Sequence, residues 1–169
     1  NGSKGLRTFS VSGRVKEPGV KRAPAGVTAR QLIEDYAGGM TDGHTFAAYL
    51  PGGASGGILP ADKADLPLDF GSLDEHGCFI GSSAVVIFST DDDIRAVVRN
   101  LLRFFEDESC GQCTPCRVGC EKMGALIGEP TWNTGLIRDL SEAMRDASIC
   151  GLGQAAPNPV LSALKFFVE

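Results

Sequence analysis

Hydrophobic and polar positions follow two different periods along this 169-residue chain. Up to about residue 89, short apolar stretches alternate with polar residues or stand between glycines, a pattern that predicts β-strands joined by turns. From Thr90 onward, apolar residues recur every three or four positions, which is the spacing of amphipathic helices. The pattern therefore predicts two domains, a strand-rich one over residues 1–89 and a helical one over residues 90–169.

The first domain is predicted to hold three strands and one helix. The strands cover residues 9–15, 45–50 and 84–89. The third is continuously apolar, which is typical of a strand buried in the middle of a sheet. Residues 29–36 have helical spacing, and Thr28 before them is a suitable N-cap. Strands that surround one helix indicate a small α+β domain.

The second domain is predicted to be a compact bundle of four helices with short connections. These helices cover residues 94–105, 115–127, 135–146 and 160–167. The acidic run at residues 91–93 is interpreted as the start of the first helix, because acids there complement the helix dipole. In the third helix, the residues expected to face inward are Leu136, Ile137, Leu140 and Met144. Trp132 is expected to pack at the end of the bundle that carries the cysteine loops described below.

Composition and charge narrow the classes of function. A content of 43% hydrophobic and 22% charged residues is typical of a soluble globular protein. A net charge of −5 without any Lys/Arg cluster argues against nucleic acid as a partner. The longest apolar run, residues 84–88, is far too short to cross a bilayer, so we expect no direct membrane insertion. No secretory signal is visible, and cysteines that must stay reduced imply a reducing compartment, so we predict a cytoplasmic location.

Four of the six cysteines form the most informative pattern in the chain. Cys110, Cys113 and Cys116 follow one another at two-residue gaps, and Cys150 returns later. A tight loop can bring such a triplet onto one 4Fe–4S cluster, which needs four thiolate ligands. Structural zinc prefers two separated pairs of ligands, so a triplet and a single cysteine suit it less well. The cysteine density is also far below that of a disulfide scaffold.

Two cysteines compete for the fourth ligand position. If Pro115 opens a helix, Cys120 lies one turn beyond Cys116 and recedes about 6 Å along the helix axis. Cys150 stands in a glycine-flanked loop, and in a four-helix bundle this loop and the triplet loop meet at one end. We therefore favour Cys150 over Cys120. Cys78, at a predicted strand start, is interpreted as a small buried hydrophobe.

The sequence around the cysteines resembles a known family. Residues 108–117 read Glu-Ser-Cys-Gly-Gln-Cys-Thr-Pro-Cys-Arg, and residues 150–159 read Cys-Gly-Leu-Gly-Gln-Ala-Ala-Pro-Asn-Pro. Both stretches resemble the flavoprotein NADH-dehydrogenase family, which includes subunits of complex I, of NAD-reducing hydrogenases and of NAD-dependent formate dehydrogenases. Residues 9–19 and 50–57 resemble its soluble-ligand-binding domain, which implies a small ubiquitin-like β-grasp domain before the four-helix bundle.

The resemblance implies that Cys110, Cys113, Cys116 and Cys150 hold a 4Fe–4S cluster within an NADH:acceptor oxidoreductase, or diaphorase, subunit. It also implies that FMN and NAD are bound only in the intact subunit, by an N-terminal domain with a glycine-rich phosphate loop. Residues 52–57 are glycine-rich, but no amphipathic helix follows them, so we interpret them as a tight turn between strands. We therefore expect the chain to be a C-terminal part of such a subunit, inactive toward NADH by itself.

The resemblance further implies partner subunits in a multi-subunit oxidoreductase, including a 2Fe–2S thioredoxin-like subunit and a catalytic subunit. The sequence of residues 150–159 looks closest to the formate dehydrogenase subunits, with complex I and NAD-reducing hydrogenase as alternatives. A rival hypothesis is a subunit-docking module whose metal is purely structural. Near the cluster, Gly111, Gly151 and Gly153 are candidate backbone donors to sulfur, and Arg117 is a candidate source of positive charge or simply a solvated helix residue.

Overall fold

The computed structural model describes residues 4–168. The chain divides into two compact units, one ending at Asp92 and the other starting at Asp93. Within the described residues, all strands lie in the first unit and all helices of more than five residues in the second. The predicted α+β class is therefore confirmed. Across the same residues, the structure contains no helix with the length and apolar character that a membrane span requires.

The first unit is built on a five-stranded sheet. Its strands are β1 (Leu6–Gly13), β2 (Gly19–Pro24), β3 (Phe46–Leu50), β4 (Leu59–Pro60) and β5 (Ala84–Ser89). They lie in the order β2-β1-β5-β3-β4, with β1 parallel to β5 and all other neighbours antiparallel. Because β5 is paired along both edges, the prediction that the apolar strand is central is confirmed. The sequence pattern does not predict β2 or β4, and the β-grasp description stays a prediction.

The one predicted helix of this unit begins with a capping box. Helix α1 (Ala29–Gln31) continues as a π-helical turn, Leu32–Tyr36. The Gln31 backbone N–H donates to the Thr28 hydroxyl at 3.2 Å, and the Thr28 N–H donates to the Gln31 side chain at 3.0 Å. Thr28 is thus the N-cap, as predicted. The largest fully buried side chains of the unit come from the strands, the π-helical turn and the connections on either side of β4: Phe9, Leu32, Tyr49, Ile58, Leu59, Leu68, Leu73, Ile80 and Ile87.

The glycine-rich run after β3 is a tight turn between strands, as predicted. It includes a short 3₁₀ turn, Ala54–Gly56, and two further 3₁₀ turns follow at Ala61–Lys63 and Asp74–His76. A Cβ on Gly52 would lie 2.1 Å from the carbonyl carbon of Ile80, so the two backbones can approach only because residue 52 is glycine. Cys78 is 1% exposed, which confirms it as a buried hydrophobe.

The second unit is helical. Its helices are α2 (Ile94–Asp107), α3 (Thr114–Gly128), α4 (Thr134–Ala147), α5 (Gly151–Ala155) and α6 (Asn158–Ala163), and a π-helical turn, Leu164–Val168, follows the last. Asp93 caps α2, since its carboxylate accepts the Arg95 N–H at 2.9 Å, so the acidic run is a helix start, as predicted. The prediction of four helices is corrected in one respect. Helix α5 was expected to be part of a loop, because a five-residue helix has too few residues to show a period.

The buried face of α4 differs from the prediction. Ile137 and Met144 are buried as expected, but Leu140 is half-buried and Leu136 is 48% exposed. Adjacent residues on a helix point about 100° apart, and on α4 Ile137 faces the core while Leu136 points away from it. The core stripe runs through Ile137, Ser141 and Met144 instead.

The position predicted for Trp132 is wrong. Its indole N–H donates to the carbonyl of Ile127 at 3.0 Å, at the end of α3. The Arg95 guanidinium, at the start of α2, lies 5.0 Å from the indole ring centroid. The cysteine triplet lies between the end of α2 and the start of α3. Trp132 therefore packs at the opposite end of these helices, because it follows the C-terminus of α3 and not its N-terminus.

Candidate metal centre

Three segments of the second unit carry the four cysteines predicted as ligands. Cys110 lies in the loop between α2 and α3, Cys113 is the N-cap of α3, and Cys116 is in its first turn. Cys150 lies in the short loop between α4 and α5, as predicted, and is the N-cap of α5. Pro115 stands in the first turn of α3, where its missing N–H leaves no helical hydrogen bond unmade. The geometry of α3 thus sets the positions of Cys113 and Cys116 relative to each other. Tertiary packing brings Cys110 and Cys150 to them.

All four cysteines line one cavity of about 300 Å³. The remaining wall residues come from the same segments: Glu108, Ser109, Gln112, Ile149 and Leu152. Cys116 is buried, Cys113 is half-buried, and Cys110 and Cys150 are exposed. A volume of this size corresponds to about ten water molecules at ~30 Å³ each. The cavity can accommodate a group much larger than one metal ion.

Cys120, the competing candidate, is not part of this wall. It is fully buried further along α3. Burial, with smaller contributions from the neighbouring Cys116, raises the pKa of the Cys120 thiol to about 12. A cysteine ligates metal as the thiolate, so a thiol that resists ionisation is a poor ligand. The structure thus groups the preferred set and leaves Cys120 out, while the ligand assignment itself stays a prediction.

Cys113 has the opposite electrostatic environment. The backbone N–H groups of Ile149 and Cys116, which favour a negative sulfur, lower the pKa of the Cys113 thiol. Cys116 supplies one of the N–H groups at the start of α3, and Ile149 belongs to the segment that carries Cys150. Both the helix start and the distant segment therefore favour the ligating form of this cysteine.

The loop that carries Cys110 is held by hydrogen bonds around Ser109. The Ser109 hydroxyl lies 3.3 Å from the Cys116 sulfur, and the Gly111 N–H donates to the same hydroxyl at 3.3 Å. The Arg117 guanidinium donates to the Gly111 carbonyl oxygen. Arg117 therefore fixes the loop between the first two cysteines, a contact that neither of its two predicted roles includes.

Ser148 and Gly153 complete the site, and the sequence pattern does not single out Ser148. A Cβ on Gly153 would lie 2.4 Å from the Ser148 hydroxyl oxygen and 2.7 Å from the Cys116 Cβ. Gly153 thus lets α5 pack directly against the cysteine wall, which is a different role from the backbone donor predicted for it. Among residues 4–168, the buried Ser148 hydroxyl has no hydrogen-bond partner. A lone serine two positions before a cysteine carries no spacing signal, so only the fold reveals its place.

The donor set fits an iron–sulfur cluster better than a single ion. A tetrahedral zinc site with Zn–S bonds of ~2.3 Å needs sulfurs about 3.8 Å apart. Over residues 4–168, no three His, Cys, Asp or Glu side chains are grouped in a way that could hold one metal ion. Four thiols distributed around a cavity of about 300 Å³ are instead arranged for a larger group with four sulfur ligands.

Comparison with known proteins agrees with this chemistry. Residues 96–169 match the family described as the NADH-ubiquinone oxidoreductase-F iron-sulfur binding region. The chain is 36% identical over 173 residues to the NADP-reducing hydrogenase subunit HndC of Solidesulfovibrio fructosivorans, a match that covers 99% of the chain. It is 38% identical over 172 residues to the F subunit of the NADH-quinone oxidoreductase of Escherichia coli, a match that covers 98% of the chain.

A solved structure is similar over nearly the whole chain. The crystal structure of an NAD+-reducing NiFe-hydrogenase in the H2-reduced state has a TM-score of 0.84 and 35% sequence identity, covering 99% of this chain and 29% of that one. The chain spans only 35% of the length of HndC and 39% of that of the Escherichia coli F subunit. It therefore belongs to the family of the NADH-quinone oxidoreductase F subunit and the hydrogenase subunit HndC, and it carries that family's 4Fe–4S-binding region.

Proposed function

We propose that this chain is the electron-relay part of an NADH:acceptor oxidoreductase subunit and holds its 4Fe–4S cluster through Cys110, Cys113, Cys116 and Cys150. The observation that carries the proposal is the cavity of about 300 Å³, because cysteines from three separate segments meet in its wall. When bound, a 4Fe–4S cluster supplies one-electron transfer. The ligand set is also supported by the contrast between Cys113, whose pKa is lowered, and the excluded Cys120, whose pKa is raised.

The protein residues would bind the cluster, orient it and limit its contact with water. Cys113 and Cys116 are held by the first turn of α3, so their spacing is set before metal arrives. Ser109 places a hydroxyl 3.3 Å from the Cys116 sulfur, and hydrogen bonds to sulfur tune the potential of such clusters. Ile149 and Leu152 give the cavity an apolar wall beside Cys150.

In the intact subunit, we propose that NADH passes a hydride to FMN outside this chain, and that electrons then leave the flavin one at a time through the site described here. The chain alone is expected not to oxidise NADH. The proposed partners are the other subunits of the oxidoreductase, including a 2Fe–2S thioredoxin-like subunit and a catalytic subunit. A cytoplasmic location fits this role, because the exposed Cys110 and Cys150 need a reducing compartment until the cluster is assembled.

For the parent complex, we propose an NAD-dependent formate dehydrogenase, on the basis of the sequence of residues 150–159. The equivalent subunit of complex I and that of an NAD-reducing hydrogenase are the alternatives. The discriminating experiment is to isolate the native complex and to ask which donor reduces its iron–sulfur centres. Bleaching of the visible absorption by formate, but not by H2, would support the formate dehydrogenase. Bleaching by H2 or only by NADH would exclude it in favour of the hydrogenase or of complex I.

The central test of the ligand set is iron, acid-labile sulfide and zinc per chain in anaerobically prepared protein. We expect about four irons and four sulfides in the wild type, most of which are lost in Cys113→Ser. Cys120→Ala is the matched control, since Cys120 is a cysteine of the same helix outside the cavity wall and should leave iron unchanged. Loss of iron in Cys120→Ala with full iron in Cys113→Ser would overturn the assignment.

Reduction with dithionite separates a relay from a purely structural metal. An electron-relay cluster gains an electron and gives an electron paramagnetic resonance signal in the reduced state. A chain with about one zinc, no sulfide and no such signal would support the docking-module hypothesis instead.

A further inference from the structure

Ser148, next to the cavity residue Ile149, carries a buried hydroxyl without a hydrogen-bond partner among the described residues. Only 6% of the residue is exposed, and within the described residues its hydroxyl makes no hydrogen bond. Ser141, a similarly buried serine on α4, differs because its hydroxyl donates to the Ile137 carbonyl at 2.7 Å. Buried hydroxyls without partners are rare in native proteins because they cost stability. An unpaired hydroxyl at this place therefore indicates an acceptor that belongs to the loaded site.

The backbone of Ser148 is fixed on both sides. Its N–H donates to the Met144 carbonyl at 3.2 Å, which closes the last turn of α4. Its carbonyl accepts the Gln154 side-chain amide at 3.0 Å, which ties it to α5. Within the described residues, only the hydroxyl of Ser148 is left unsatisfied. The serine is therefore held in place with its donor available.

The hydroxyl is held against the wall that carries the cysteines. The Ser148 oxygen and the Cys116 Cβ both lie within 2.7 Å of the position that a Cβ on Gly153 would take. Ser148 also precedes Ile149 and Cys150, which both line the cavity. Cys116 is thus the cavity residue beside this hydroxyl, and sulfur is the acceptor that a loaded site would place there.

We propose that Ser148 is a positioning residue of the iron–sulfur site, whose hydroxyl donates a hydrogen bond to a sulfur of that site when the cluster is bound. The inference rests on the proposed ligand set. Reduction adds one negative charge to the cluster and its sulfurs, so a hydrogen bond to sulfur stabilises the reduced form more than the oxidised form. Ser148 would therefore make the site easier to reduce.

The test is a redox titration of the anaerobic chain, with iron and sulfide measured in every sample. Ser148→Ala is expected to keep its iron and to shift the ratio of reduced to oxidised sites toward the oxidised form, by up to about tenfold at a given potential. For a one-electron couple, a tenfold shift is about 59 mV. Ser148→Thr retains the hydroxyl and should restore the wild-type ratio. Ser141→Ala, which removes a buried hydroxyl paired elsewhere, should leave the ratio unchanged.

The outcomes separate this inference from the proposed function. A wild-type chain without four irons and sulfides would refute the proposed cluster site itself. A wild-type chain with its cluster, but with the same titration curve in Ser148→Ala, would overturn only the role of Ser148. If Ser148→Ala loses iron, the iron content and redox ratio of Ser148→Thr decide whether the hydroxyl acts as a donor or only packs. Retained iron with the wild-type ratio supports the hydroxyl as donor, whereas loss of iron in both variants would assign Ser148 to packing alone.

Discussion

The substitution Gly153→Ala tests how closely α5 packs against the cysteine wall. The new Cβ would lie 2.4 Å from the Ser148 hydroxyl oxygen, 2.7 Å from the Ser148 Cβ and 2.7 Å from the Cys116 Cβ. Two of these three atoms are Cβ atoms, which can move only with their backbone. We therefore expect α5 to shift away from the first turn of α3, which carries two of the proposed ligands.

The size of the effect follows from two opposing contributions. Overpacking a well-filled site costs ~1–3 kcal/mol, and three simultaneous short contacts indicate the upper end of that range. Replacing a helical glycine with alanine recovers about 1 kcal/mol of helix propensity. The free energy of unfolding should therefore fall by about 2 kcal/mol. With an m-value of ~2 kcal/mol/M, the urea midpoint should fall by about 1 M.

The assay is urea unfolding of the iron-free chain, followed by far-UV circular dichroism. Gly124→Ala is the matched control, since it is also inside a helix, but its Cβ would meet no atom within 4 Å. This control should gain ~0.5–1 kcal/mol. Iron per chain should fall in Gly153→Ala and stay constant in Gly124→Ala. A Gly153→Ala variant as stable as the wild type would refute the close packing inferred here.

Two further changes test each unit separately. Asp92→Asn removes the carboxylate that accepts the Arg14 guanidinium at 2.7 Å. This hydrogen bond, together with those from Ser89, holds the pKa of Asp92 below its unfolded value of about 3.9. The ionised carboxylate therefore stabilises the folded chain fully above about pH 3.9, and this stabilisation is lost as the pH falls toward the pKa of the folded state. The variant should be less stable than the wild type at pH 7, by a margin that shrinks in acid. Trp132→Phe removes the N–H that donates to the Ile127 carbonyl and should cost about 1 kcal/mol without changing iron content.

Each of these expectations has an outcome that contradicts it. Denaturant midpoints of Asp92→Asn and the wild type that differ as much at pH 2 as at pH 7 would exclude the role given to the carboxylate. A loss of iron in Trp132→Phe would show that the indole affects the cavity, against its position at the other end of α3.

Much of the fold could be predicted, because a long helix or strand that buries one face shows a periodic spacing of apolar residues in its sequence. The central strand β5 and helices α2 to α4 all lie within two residues of their predicted bounds. Elements without a period were missed. Strand β4 has two residues, and β2 contains Lys21, Arg22 and Pro24, so neither shows an apolar alternation. Their strand conformation comes from pairing with β3 and β1, which local sequence does not encode.

The candidate site divides in the same way. Cys110, Cys113 and Cys116 could be selected from spacing, because a cluster needs four thiolates and the chain offers one triplet. Cys150 could be selected over Cys120 from the place of its loop in the predicted bundle. The residues that support them could not. Ser148 reaches the wall because α4 ends and α5 begins on either side of it, and Arg117 reaches the Gly111 carbonyl because the loop folds back over α3. Such contacts depend on tertiary packing alone.

The position of the single tryptophan gives the helical unit a built-in optical probe. Trp132 packs against the end of α3, and the cysteines surround its beginning; a 15-residue helix separates the two by about 21 Å. Indole fluorescence therefore follows the order of one end of this unit, while the visible absorption of a bound cluster would follow the other. If the two signals change at the same denaturant concentration, the unit unfolds as a whole; if they do not, the cluster end and the tryptophan end unfold separately.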